Sequence, residues 1–93
     1  AKPEWWNDEG LKALSARVVR AAPDDLGASR MRAAVLSGIL SAWEAGPRSA
    51  AELKKAAARY ERAAALCSAP AAKADFADHA AWCRATAGAI NLT

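Results

Sequence analysis

Residues 49–70, SAAELKKAAARYERAAALCSAP, constrain the fold more than any other part of the chain. Ser49 and Glu52 stand in the S-x-x-E spacing of a capping box, where each side chain satisfies the other residue's unpaired backbone donor and so starts a helix. Behind that cap Leu53, Ala56, Ala57, Tyr60, Ala63, Ala64 and Cys67 return every three or four residues and form one helical face. Most of them are methyl-sized. A face of this kind binds its neighbours by close backbone approach rather than by filling a thick core.

Composition carries the same message. Alanine supplies 28 of the 93 residues. It is the best helix former because it has no side-chain entropy to lose, but its burial contributes little at about 25 cal/mol per Å². Ninety-three residues make one domain with a shallow core, and some of that core is expected to be completed against another molecule.

The remaining punctuation divides the chain into four helices, over 8–21, 26–45, 50–67 and 71–87. Asn7 or Asp8 caps the first, and Leu11, Leu14 and Val18 form its apolar stripe. Pro23 ends it, since the residue before a proline is pushed out of the helical region, and Asp24 or Asp25 offers the next cap. Ala28, Arg32, Val35, Leu36, Ile39, Leu40 and Trp43 describe a broad face on the second helix, with Gly38 a mildly weakening interior residue. Gly46–Pro47 stops it. Ser68 and Pro70 mark the third turn, Ala72, Phe76, Ala80, Cys83 and Ala87 line the fourth helix, and Gly88 is expected to end it. Short links between amphipathic helices favour antiparallel neighbours, so the fold class is all-α, four antiparallel helices arranged as a helical hairpin or short α-solenoid.

Two stretches of this pattern resemble the tetratricopeptide repeat. In RAAPDDLGASRMRAAVL, Pro23 fits the proline that ends one unit, and Ala28, Ala33 and Leu36 fit positions of the next unit's first helix. Ala56, Tyr60 and Ala63 fit the small, aromatic and small positions of a second helix. Ser29 and Arg32 stand where large apolar residues are expected. Pro23 to Pro70 spans 47 residues, against about 34 in the family, so the chain is similar to one enlarged repeat flanked by parts of two others. The rival is an unrelated four-helix bundle, because any close helix pair uses small residues at its contact. The resemblance implies binding rather than chemistry: a non-catalytic interaction module, either an accessory subunit of a larger assembly or a free adaptor with a peptide groove between the second and third helices. The alanine-rich style and the opening tryptophan pair are similar to small algal repeat proteins, which implies an organellar or photosynthetic assembly.

Partner contacts are expected from Trp5, Trp6 and Trp82, since tryptophan contributes large area with a polar handle, while Trp43 belongs to the core face. The alternative for Trp5 and Trp6 is a lid folded over their own bundle. Lys54, Lys55, Arg59 and Arg62 form a basic strip on the third helix, suited to an acidic partner, an anionic surface or phosphate, or simply to water. Thirteen basic and ten acidic residues give a scattered +3, which does not imply a nucleic-acid partner. No apolar run approaches the roughly 18 residues of a membrane span, so the chain reads as soluble, with membrane association only through a complex. The opening AKPEWWNDEG lacks the charged start and apolar centre of a secretory signal.

Chemistry has few candidates. Asp75, His79 and Cys83 lie four apart on one helix with Cys67 across a turn, a weak metal constellation without a C-x-x-C pair, and burial of two separate thiols is the simpler reading. A Cys67–Cys83 disulfide is excluded by a separation of roughly 15 Å or more along the helix, against about 7 Å tolerated. His79 as a metal or pigment ligand is the least favoured function. No cofactor and no nucleophile with an orienting base are expected.

Overall fold

The computed structural model describes residues 4, 6–38 and 48–92. Four helices follow one another, α1 (Asp8–Ala21), α2 (Leu26–Ser37), α3 (Ala50–Leu66) and α4 (Pro70–Leu92), and there is no strand among the described residues. The chain is therefore all-α. Each helix packs chiefly on its neighbours in sequence, α1 on α2, α2 on α3 and α3 on α4.

Local chemistry explains where the helices start. Asn7 is extended and its Oδ1 accepts the Gly10 N–H at 2.8 Å, with Asp8 and Glu9 in the first turn at the positive end of the helix dipole. Asp25 caps α2 by accepting the Ala28 N–H at 2.9 Å. At α3 the capping box is complete. The Glu52 N–H donates to Ser49 Oγ at 3.1 Å and the Ser49 N–H to Glu52 Oε1 at 3.0 Å. Pro70 opens α4, where a missing N–H removes only a donor that has no helical partner.

Two ends differ from the sequence expectation. The second helix stops at Ser37 rather than running to residue 45, because Gly38 takes the left-handed conformation (φ 70°, ψ 12°) and its N–H closes on Ala34 O. Glycine reaches that conformation without the clash a Cβ would bring, so it acts as a cap here instead of an interior residue. Ile39, Leu40 and Trp43, assigned to the same helical face, lie outside the described residues. In α4 the reverse holds. Gly88 sits inside the helix, which continues to Leu92. An interior glycine costs only about 1 kcal/mol, and no proline follows to enforce a stop.

Antiparallel order is visible at both ends of the α2–α3 pair. Asp24, just before α2, pairs with Arg62 near the end of α3, while Val35 O near the end of α2 accepts from Arg48 just before α3. Between them lies a core of small residues: Ala33, Ala56, Ala57, Ala63 and Ala87 are all fully buried. Leu36, Leu53, Tyr60 and Cys83 supply its bulk, and Phe76 packs against it. Tyr60 joins three helices. Its hydroxyl lies 3.4 Å from Ser37 Oγ of α2, and its ring stacks on Phe76 and His79 of α4 at centroid distances of 6.4 and 5.1 Å.

The inner face of α1 is Leu11, Ser15 and Val19, with Leu14 and Val18 on its flanks. The expected Leu11–Leu14–Val18 stripe is thus rotated. A fully buried serine is tolerated because its hydroxyl is satisfied: Ser15 Oγ donates to Lys12 O at 3.1 Å and accepts from Arg32 Nη1 at 3.0 Å.

Charge fixes α1 to the start of α3. Arg48 grips Asp8 with both nitrogens of its fork, at 2.8 and 2.6 Å, and also donates to Val35 O at 2.9 Å, so one side chain reaches α1 and α2 from the threshold of α3. Beside it Lys12 Nζ lies 2.6 Å from Glu52 Oε2. Glu52 therefore caps α3 with one oxygen and binds α1 with the other. That hydrogen bond to Lys12, followed by the one from Ser49, holds the Glu52 carboxyl below the ordinary carboxylate range, and the bond to Glu52 raises Lys12 above the ordinary lysine value.

The signs set a pH dependence. A depressed Glu52 contributes stability above about pH 4.5, the unfolded value, and that contribution fades as pH falls through the folded value; a raised Lys12 contributes fully below about pH 10.5 and fades only as pH rises further. Glu52→Gln is expected to lower stability at neutral pH and to make the loss below about pH 4.5 shallower. Urea unfolding at a series of pH values measures this; parallel acid limbs for the two proteins would remove the linkage.

Candidate functional site

Two surfaces stand out, a cationic groove across α1, α2 and α3 and the outer side of α4. The groove takes apart the basic strip of α3. A helix turns about 100° per residue, so Lys55, Arg59 and Arg62 fall within about 60° of one another while Lys54 stands about 80° or more away. Lys54 faces solvent. Arg62 pairs with Asp24. Lys55 and Arg59 instead line a cavity of about 360 Å³ together with Arg20 of α1 and Arg32 of α2.

The floor of this groove is apolar, formed by Val19 and Leu36 with the methyl groups of Ala16 and Ala58. It opens between the second and third helices, where the adaptor reading expected one, but α1 supplies a third wall. No carboxylate lines it. The ion pairs among the described residues engage Lys12, Arg48, Arg62 and Arg84, and none engages the four groove cations. Arg32 is the most enclosed of the four. Its Nη1 donates to Lys12 O at 2.8 Å and to Ser15 Oγ, which fixes the guanidinium between α1 and α2. Burial, then the charges of Arg59 and Arg20, depress its pKa below the ordinary arginine value. The carboxylate of Glu52, outside the groove lining, acts on Arg32 in the opposite sense and more weakly.

The outer side of α4 is largely apolar over its C-terminal half. Its inner stripe, Ala80, Cys83 and Ala87 with Phe76 beside them, packs on α3. Trp82 lies off that stripe and is 50% exposed; Ile90 is 40% exposed. Around Trp82 the exposed positions are Asp78 and His79 one turn before it and Ala81, Ala85, Gly88 and Ala89 beside and beyond it, and a Cβ built on Gly88 would meet nothing within 4 Å. From Ala80 to Ile90 the single charge is Arg84, already bound to Glu61 of α3 at 2.5 Å. An amphipathic helix facing water carries charges on that side; the first half of α4 does, with Lys73, Asp75 and Asp78 exposed, while beyond Asp78 only Arg84 remains.

The other anticipated positions fall as follows. Trp6 is partly buried and its indole nitrogen is withdrawn from solvent; Trp5 lies outside the described residues, as does Trp43. Ser49, Glu52, Ala56, Tyr60 and Ala63 occupy the cap and core positions described above. Cys67 and Cys83 are free, buried thiols, and burial raises the Cys83 pKa, which keeps it protonated and unreactive. His79 is exposed and stacks on Tyr60. Among the described residues no three His, Cys, Asp or Glu side chains gather as a metal site, and no helix is long and apolar enough to cross a membrane.

Sequence reasoning missed Arg20 and Arg32 as partners of Lys55 and Arg59. Arg32 stood out only as a charge at a position where the repeat resemblance expects a large apolar residue. That misfit was the available signal. Compared with protein-family models, curated proteins and solved structures, the chain matches none.

Proposed function

We propose that the chain is a non-catalytic protein–protein interaction module, an accessory or structural subunit that docks through the outer side of α4. One observation carries this reading: the apolar surface around Trp82 and Ile90, on a helix whose C-terminal half has a single, already paired charge. Isolated exposed apolar residues are ordinary, but a half-exposed tryptophan among small side chains is the residue type that anchors buried interfaces. Helical arrays end in polar outer faces when they end in water. On this reading α4 is an inner helix of a larger stack, and a helix from another polypeptide or repeat covers it; the likeness to tetratricopeptide repeats supports the same geometry.

A photo-reactive residue in place of Trp82 tests the proposal in the cell that makes the protein. Discrete covalent adducts with another polypeptide are expected, absent when the same residue replaces Lys54 on α3. Trp82→Glu is expected to abolish co-purification of that polypeptide while leaving stability within about 0.5 kcal/mol, because the side chain is half exposed. A chain that remains an unlinked monomer, or a Trp82→Glu variant that retains its partner, would overturn the reading.

A further inference from the structure

We propose that the groove formed by Arg20, Arg32, Lys55 and Arg59 is a binding site for a small organic phosphate, with the phosphate oxygens on the four cations and the organic body on Val19 and Leu36. This site is separate from the α4 surface and does not depend on it.

Three features converge on that ligand. The first is charge. Four cations from three helices line one concavity, with no carboxylate among its lining residues and no ion pair to any of the four among the described residues. Cations without an adjacent counter-charge cost stability by mutual repulsion, relieved only in part at Arg32 by the more remote Glu52 carboxylate, and surface arginines and lysines are free to splay into water and escape it. Arg32 is not. Its bonds to Lys12 O and Ser15 Oγ hold the guanidinium in place, so one positive charge is fixed in the groove, and the exposed Arg20 and Lys55 can close on a ligand beside it.

The second feature is donor geometry. Three of the four cations are guanidinium groups, whose planar fork matches two oxygens of a phosphate, and a lysine ammonium adds a point charge. Both Arg32 bonds to α1 are made by Nη1, and the guanidinium lines the groove. The third feature is size. About 360 Å³ lies at the lower end of small-ligand sites, and the floor of Val19, Leu36, Ala16 and Ala58 offers an apolar bed beside the charges. A bare ion would leave that bed unused. A ligand with at least two negative charges and an apolar or aromatic body uses both halves. Such a group belongs equally to a soluble nucleotide and to a phospholipid headgroup.

Thermal unfolding with added pyrophosphate or ADP, at constant ionic strength set with NaCl, reads the site directly, since a ligand that binds only the folded chain raises the midpoint. The expected result is a rise of several degrees, larger for ADP than for pyrophosphate. Arg59→Glu places a carboxylate among the remaining three cations. It is expected to raise the midpoint of the unliganded protein and to abolish the ligand-dependent rise, a combination that a purely structural role for Arg59 does not produce. Lys54→Glu, one residue outside the groove, is expected to keep the full rise. Backbone amide shifts on ADP addition are expected to cluster at residues 16–20, 32–36 and 55–59.

Phosphatidylcholine vesicles with and without phosphatidic acid separate the sources. Binding that requires phosphatidic acid, without a response to ADP, assigns the phosphate to a lipid; the reverse assigns it to a soluble ligand. The proposal is overturned if neither probe binds, if NaCl alone reproduces the rise, or if Arg59→Glu retains it. Affinity for a single-stranded oligonucleotide that exceeds that for ADP and grows with strand length would also overturn it, in favour of a nucleic-acid surface.

Discussion

Arg48→Ala is expected to lower the unfolding free energy by about 3 kcal/mol and the thermal midpoint by roughly 12–24 °C. The Arg48 side chain is 6% exposed and its bidentate partner Asp8 17%. Removing the arginine leaves the Asp8 carboxylate enclosed without its main counter-charge, although Lys12 stays 3.4 Å away, and it also strips a hydrogen bond from Val35 O. An abandoned, partly buried charge is what makes such a deletion expensive, rather than the intrinsic worth of the pair. Total stability of a domain this size is about 5–14 kcal/mol, so the variant should be at the edge of folding at body temperature.

Removing both partners is expected to cost less than removing one. In Asp8→Leu/Arg48→Met no charge is left behind, and part of the lost attraction is replaced by apolar contact. Chemical denaturation of Asp8→Leu, Arg48→Met and the double variant completes the cycle. If Arg48→Ala costs less than about 1 kcal/mol, the pair behaves as an exposed ion pair and the clamp between α1, α2 and α3 is not a determinant of the fold.

The second large effect concerns the small residues. Ala63→Leu is expected to destabilise by about 2–3 kcal/mol, because three extra heavy atoms must enter a contact where Ala63 is already fully buried. Ala65→Leu, two residues further on and exposed, is expected to change stability by less than about 0.5 kcal/mol. Both substitutions keep a strong helix former, so helix propensity cancels and the difference reads the closeness of the helix contact. A tolerated Ala63→Leu would mean that α3 and its neighbours are not held together by close approach, and the account of the core given above would fail with it.

The legible parts of the fold were those decided within a few residues. Ser49 and Glu52 meet across three peptide units, so the start of α3 can be read without knowing what surrounds it, and the same holds for Asn7 and α1. Alanine spacing identified the buried face of α3 for the same reason, since a helix of known period places Ala56, Tyr60 and Ala63 on one side. Glycine was harder. Gly38 and Gly88 occupy similar local contexts, yet one is a left-handed cap and the other an interior residue. Glycine permits either conformation, so the outcome depends on what the chain does next.

The candidate site was legible only in fragments. Lys55 and Arg59 were visible as a basic strip, and Trp82 as an aromatic off the inner stripe. Nothing local, however, relates Arg20 to Arg32 or Arg32 to Arg59, and 40 positions separate Asp8 from Arg48. Local sequence settled an all-helical chain, the caps of α1 and α3, and the contact face of α3, because hydrogen bonds across one turn and side-chain period are short-range quantities. Tertiary packing settled which charges neutralise one another and which are left facing a common hollow. Electrostatic energy depends on distance through space, and that distance exists only once α1, α2 and α3 have been brought together.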